Sequence, residues 1–160
     1  LPNGTELKEY RQKVLTLLLN SKTTCELVLN RIIPDITLEI QDELTSGYIY
    51  NYAFVPNVQE DQKTYIAFEL SGRKPNKASL YTNMKLYFYI FSHCNIIKHP
   101  TGYLRTDLID EQIQSIFNEN KDIGIGKMYC TSDDYLKVSN FFYGRQLCFE
   151  VKEQSISGCK

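Results

Sequence analysis

Apolar residues recur at three- and four-residue spacing early in the chain and at two-residue spacing through its middle, so helices are predicted first and strands after. Leu7, Tyr10, Val14, Leu17 and Leu18 fall on one stripe of a helix that Thr5 is placed to cap and that runs to about Leu19. Asn20-Ser21-Lys22 breaks the pattern. A second, shorter helix offers Leu27, Leu29 and Ile32 for packing, and Pro34 ends it. Residues 36–40 fit a short strand or a helical turn equally.

From Tyr48 the period changes. Residues 48–55 (YIYNYAFV) are aromatic and β-branched, stop at Pro56-Asn57 and predict a strand. Residues 63–71 predict the next, and the Gly72-Arg73-Lys74-Pro75-Asn76 stretch turns the chain. Residues 85–93 carry the clearest alternation, with Leu86, Phe88 and Ile90 on one face and Tyr87, Tyr89 and Phe91 on the other. A strand apolar on both faces belongs in the middle of a covered sheet. After a loop at Pro100-Thr101-Gly102, Thr106 or Asp107 is placed to cap a helix carrying Ile109, Ile113, Ile116 and Phe117. An exit loop over 118–126 leads to strands near 127–131 and 141–152, joined through Ser132-Asp133-Asp134. The tail from Gln154 is expected to fray.

The order αα-βββ-α-ββ has no regular βαβ alternation. It predicts an α+β fold: a largely antiparallel sheet of about five strands with helices gathered on one side. No internal repeat or linker divides the chain, so residues 1–160 read as one domain, with N-terminal helices over 1–34 and a tail over 153–160.

Composition narrows the classes of function. A net charge of −1 argues against holding nucleic acid mainly by neutralising phosphates. No apolar run reaches the ~20 residues of a membrane span, and Leu1-Pro2-Asn3-Gly4 lacks a secretory pattern. The five cysteines contain no CxxC pair, which suits reduced thiols rather than a zinc site or a disulfide framework. Abundant Lys, Asn, Ile and Tyr fit an AT-rich genome, pointing toward low-GC bacteria or their phages.

Candidate chemistry is sparse. His93, His99, Cys94 and Asp107 are zinc-ligand types, but their spacing matches no familiar zinc pattern. Gly124-Ile125-Gly126-Lys127 lacks the spacing and the Ser or Thr of a phosphate loop, and its glycines suit a turn into a strand. Arg105 and Asp107, with Asp110 and Glu111 one turn on, admit two readings. They are acid–base partners or a two-carboxylate metal site; or the acids complement a helix dipole and Arg105 is a packing or inter-subunit ion-pair residue. No nucleophile elbow and no activated cysteine is present. The sequence therefore predicts no enzyme activity and no cofactor.

Aromatic residues carry more information. Tyr48, Tyr50, Tyr52 and Phe54 alternate on one predicted strand, and Tyr87, Tyr89 and Phe91 on another. The opposite faces already supply an aliphatic core for the helices. Tyrosine combines apolar area with a hydroxyl that tolerates a wet rim, the chemistry of interfaces. Tyr48, Tyr50, Tyr52, Tyr87 and Tyr89, with Arg105 and Asp107, are the predicted interface residues.

The strand at residues 48–56, the strand with Thr64-Tyr65-Ile66-Ala67-Phe68-Glu69 and the strand over 86–93 form the start of a larger pattern. Arg105-Thr106-Asp107-Leu108-Ile109 follows, then Ile113 and Asn118, the Gly124-Ile125-Gly126-Lys127 segment and a closing strand with Gly144-Arg145. Over about residues 48–151 this resembles the small α+β proteins at the neck of tailed bacteriophages, the tail-terminator and head–tail joining group. The resemblance implies a ring, commonly of six subunits, that caps the tail tube and meets the head connector in the virion. It implies partners in the tail tube protein, the connector protein and further copies of the chain, with DNA passing through unread, no membrane and no catalysis. Such a protein is made in the host bacterial cytoplasm.

Two other readings compete. One is a small metal-dependent hydrolase or nuclease using His93, His99, Asp107 and Asp110. The other is a monomeric bacterial binding module whose tyrosine face receives a ligand.

Overall fold

A computed structural model describes residues 4–55, 61–73, 82–123 and 126–151. Three helices open the chain: α1 (Gly4–Leu19), α2 (Lys22–Leu29) and α3 (Leu38–Gly47). Strands β1 (Ile49–Tyr50), β2 (Thr64–Arg73) and β3 (Thr82–His93) follow, then α4 (Arg105–Phe117), β4 (Met128–Lys137) and β5 (Phe142–Val151). The strands form one five-stranded sheet in the order β1-β2-β3-β5-β4. Among the described strands, only β1 and β2 pair in parallel and the other pairs are antiparallel. The expected α+β fold is present.

The alternation of β3 sets the layers. Leu86, Phe88 and Ile90 are completely buried, with Ile66 and Phe68 of β2 and Leu147 and Phe149 of β5. Val14 and Leu18 of α1, Val28 of α2, Leu44 of α3 and Ile109, Ile113 and Phe117 of α4 close over them. Phe88 is the hub of this layer: its ring centroid lies 4.8 Å from that of Phe117, 5.8 Å from Phe149 and 6.1 Å from Phe68. Burying one such side chain stabilises the fold by about 1.5–3 kcal/mol. β3 is indeed central, with β2 and β5 on its two sides.

Several boundaries differ from expectation. Thr5 is not a cap, because α1 already begins at Gly4. α2 ends at Asn30, whose φ of 56° places it in the left-handed region, rather than at Pro34. Ile32 consequently lies past the helix and is 89% exposed instead of packed. The undecided stretch after Pro34 leads into α3, where the Thr37 hydroxyl accepts a bond from the Ile40 amide at 3.3 Å.

The predicted strand over residues 48–55 survives only as Ile49–Tyr50. The chain then folds back, and Phe54 stacks on Tyr50 with centroids 3.8 Å apart. Ser132-Asp133-Asp134 is not a connection: β4 runs through it to Lys137, with a register shift between Cys130 and Ser132. Asp133 remains in the strand because Arg145 on β5 takes its carboxylate. Gly126 does turn the chain into β4, at φ +102°, with Val151 Cγ1 2.8 Å from where a Cβ would stand. Residues 74–76 of the expected turn, Gly124 and the tail from Gln154 lie outside the described residues.

At Gly144 the backbones of β3 and β5 come unusually close. A Cβ there would lie 1.7 Å from the Ile90 carbonyl oxygen and 2.8 Å from the Phe91 Cα.

Candidate assembly surface

The sheet face opposite the helices holds a second, aromatic cluster. Tyr65, Phe91 and Phe142 are buried there, with Tyr50, Phe54, Tyr89, Leu136 and Val138 packed around them. Tyr65 sits 5.4 Å from Phe91 and 5.9 Å from Phe142, centroid to centroid, and Phe54 caps it at 5.7 Å. Burial pushes the Tyr65 phenol up to about 12, with the Asp61 carboxylate adding to the effect, and raises Tyr50 and Tyr89 in the same direction. Tyr65 is therefore an uncharged packing group at any ordinary pH.

Beyond this cluster the face continues through half-buried Tyr87 and Gln146. Lys85 and Glu150 pair across β3 and β5 at 3.1 Å. The buried residues of all four helices belong to the other layer, so no helix seals this half of the face among the described residues.

The structure divides the predicted interface residues. Tyr87 and Tyr89 share the open face and Tyr50 borders its aromatic cluster. Tyr52 is half-exposed on the fold-back. Tyr48 does not share their face: it packs against the helix-side core, with the Lys63 ammonium 4.8 Å from its ring centroid. The alternation expected from Tyr48 to Phe54 fails at both ends, because Tyr48 is the C-cap of α3 and the chain leaves the sheet after Tyr50.

Arg105 and Asp107 separate even more clearly. Neither Thr106 nor Asp107 caps α4; Leu104 holds that position and makes no side-chain cap bond. Asp107 is an exposed acid in the first turn, where it complements the helix dipole. Arg105 is buried and is held by acceptors within the chain. Its Nε donates to the Ile96 carbonyl at 3.1 Å, Nη1 to the Leu27 carbonyl at 3.0 Å and Nη2 to Asn30 Oδ1 at 2.6 Å. Two of these acceptors are at the C-terminal end of α2, which has no basic residue of its own in its last turn. Arg105 supplies that charge from the first turn of the neighbouring helix α4. Desolvation lowers its pKa, as expected of a buried cation held by neutral acceptors.

A second polar cluster had no periodic signature in the sequence. Asp110 of α4 faces Asp133 of β4 and Arg145 of β5. Arg145 Nε donates to Asp133 Oδ1 at 2.8 Å and lies 3.7 Å from Asp110 Oδ2, while Gln114 Nε2 donates to Asp110 Oδ1 at 2.7 Å. Burial pushes Asp110 up to about 6; Asp133 adds to the rise, and Gln114 and Arg145 oppose it. Because this pKa is higher folded than unfolded, the folded state binds the proton more tightly. Stability contributed by protonated Asp110 is present below pH 4 and is lost as pH rises through about 6. Asp110→Asn is expected to flatten that decline, which urea melts at pH 4.5 and pH 7.5 measure directly.

The histidines do not converge. The His93 Nδ1 accepts from the Asn95 amide at 3.1 Å and its ring stacks on Phe141, whereas His99 Nδ1 meets the Thr101 hydroxyl at 2.8 Å. Among the described residues no three His, Cys, Asp or Glu side chains gather as metal ligands. A groove of about 520 Å³ between α2 and α4 has Arg105 on its wall and Leu27, Ile32, Pro100 and Leu108 along its sides.

These features define a helix-backed, largely antiparallel mixed sheet whose far face is aromatic and partly open. The sequence model of the YomW family matches residues 12–151, and the chain belongs to that family. It is a phage-associated family, its name being that of a Bacillus prophage protein. No curated protein and no solved structure matches the chain.

Proposed function

We propose that this chain is a structural protein of a tailed phage virion, forming a ring at the head–tail interface that terminates the tail tube and joins it to the head connector. The observation that carries this reading is the open half of the sheet, where Tyr87 and Tyr89 lie half-buried on a face with no helix against it among the described residues. A two-layer domain that leaves one side of its sheet partly bare, and lines it with tyrosine, has the chemistry of a subunit meant to be covered by another protein. The phage-associated family supports the setting, and the neck-protein pattern in the sequence supports the place. In this role the chain needs no cofactor and performs no catalysis. Its partners are further copies of itself, six in the rings of the resembled group, with the tube protein on one side and the connector on the other. DNA passes through the ring without being read.

Deleting the gene in a phage that carries it is expected to give tails of irregular length or tails unjoined to heads. Restoring a Tyr87→Glu, Tyr89→Glu variant is expected to give folded protein that fails to rescue joining, because a half-buried interface does not accept two unpaired carboxylates. Normal joined virions in the deletion strain overturn the reading.

The groove beside Arg105 favours a second reading, a monomeric module that takes a small apolar ligand between Leu27 and Leu108. Imaging separates the two readings, because a ligand-binding module does not form a ring at the neck.

A further inference from the structure

Strand chemistry and strand geometry disagree at residues 52–55. Tyr52-Ala53-Phe54-Val55 is uncharged, aromatic and β-branched, yet β1 stops at Tyr50 and the next residues make no sheet pairing. Residues four apart on a strand are separated by about 13 Å. The 3.8 Å stack of Phe54 on Tyr50 therefore marks a reversal of the chain. Tyr52 and Val55 are left 51% and 68% exposed. Arg11 of α1 holds the Asn51 carbonyl and the Glu69 carboxylate, so the departure from the sheet is anchored at Asn51. Continuing the register of Ile49 with Ile66 and Tyr50 with Ala67 would set residues 52–55 beside residues 69–72 of β2. Among the described residues, no strand occupies that outer edge.

The far side of the sheet has the complementary vacancy. Among the described strands, β4 pairs with β5 along one edge only. Past its register shift, residues 132–137 run in unbroken pairing with residues 143–148. Charged side chains usually blunt such an edge. Here two of them are drawn sideways onto the chain's own sheet: Asp133 to Arg145, and the Lys137 ammonium to 5.9 Å from the Tyr143 ring centroid. Directions also agree. β1 runs with β2 and β5, and β4 runs against them, so a neighbour added by rotation without inversion brings its own 52–55 segment antiparallel to β4.

We infer that on assembly residues 52–55 leave the aromatic face, extend β1 and become a strand shared between subunits. They pair on one side with residues 69–72 of their own β2 and on the other with residues 132–137 of the next copy. This rests on the ring reading above and names the contact that closes the ring. Each copy has one segment to give and one edge to receive, the head-to-tail complementarity that cyclic assemblies require. Withdrawal of Phe54 also uncovers Tyr65, so joining a neighbour bares more of the aromatic face.

Hydrogen exchange on the purified monomer and on intact virions, read by mass spectrometry, tests this. Amides 52–55 and the alternate amides of 132–137 that point away from β5 are expected to exchange fast in the monomer and to gain at least tenfold protection together in the particle. Ala53→Pro is the matching variant. The Ala53 amide makes no hydrogen bond among the described residues, so the monomer should melt as the wild type does. A strand paired on both edges uses every amide, so proline at 53 is expected to abolish the ring. A ring at the neck whose 52–55 amides still exchange freely, or one that forms normally with Ala53→Pro, overturns the shared strand and leaves the ring reading standing. Particles with no ring overturn both.

Discussion

Arg105→Ala is expected to lower the unfolding free energy by about 3–5 kcal/mol, read as a shift in the urea midpoint at constant slope. The guanidinium holds three acceptors that do not meet elsewhere: the Leu27 carbonyl, the Asn30 side chain and the Ile96 carbonyl. The buried Leu27 carbonyl left without a donor costs about 1–3 kcal/mol, and the part-buried Ile96 carbonyl and Asn30 side chain each add less. The α2 C-terminus also loses the cation facing its last carbonyls. Arg105→Lys should fall between the wild type and alanine, because an ammonium keeps the charge but cannot span three acceptors from one planar fork. A loss under about 1 kcal/mol for the alanine variant would mean that water replaces the guanidinium, and that the clamp between α2 and α4 is not structural.

Gly144→Ala is the second large effect. A methyl group 1.7 Å from the Ile90 carbonyl oxygen cannot be accommodated by rotating a side chain, because the obstacle is backbone of the central strand. β5 must shift away from β3 or twist, and either movement disturbs Leu147 and Phe149 in the core beneath. The expected loss is about 3 kcal/mol, at the upper end of overpacking. In a domain of this size that lowers the melting temperature by about 6–12 °C. Gly47→Ala is the control: its new Cβ meets only the Lys63 ammonium end at 3.5 Å, and Gly47 closes α3 without a positive φ. That change should be neutral or slightly stabilising. Equal melting curves for the two alanine variants would contradict the close approach.

What the sequence made legible was local. The alternation of Leu86, Phe88 and Ile90 against Tyr87, Tyr89 and Phe91 located the central strand because period two survives burial on both faces. Ile109, Ile113 and Phe117 located α4 for the corresponding reason at helical spacing. Residues 52–55 misled because their strand propensity is genuine, but in the single chain Phe54 gains more by covering Tyr65. Asp133 misled because a polar run in an edge strand looks like a turn until its partner, twelve residues away, is known. Arg105 was noticed, but its role depends on Leu27 and Asn30, more than seventy residues earlier, and no spacing rule spans that distance. Gly144 was quoted only as part of a pattern, since its constraint comes from the backbone of another strand.

The strand order also governs the timing of folding. β5 lies between β3 and β4, although it is the last of the strands in sequence. Until residues 142–151 have been synthesised, the central strand has one bare edge and β4 has no neighbour to join among the described strands. Helices and the β2–β3 hairpin can form early on a growing chain, because their contacts are local. The sheet closes only when the final strand enters its middle. A nascent chain stopped before Phe142 would therefore present the ribosome-side chaperones with an unfilled gap flanked by Phe88, Ile90 and Phe91, a surface prone to aggregation.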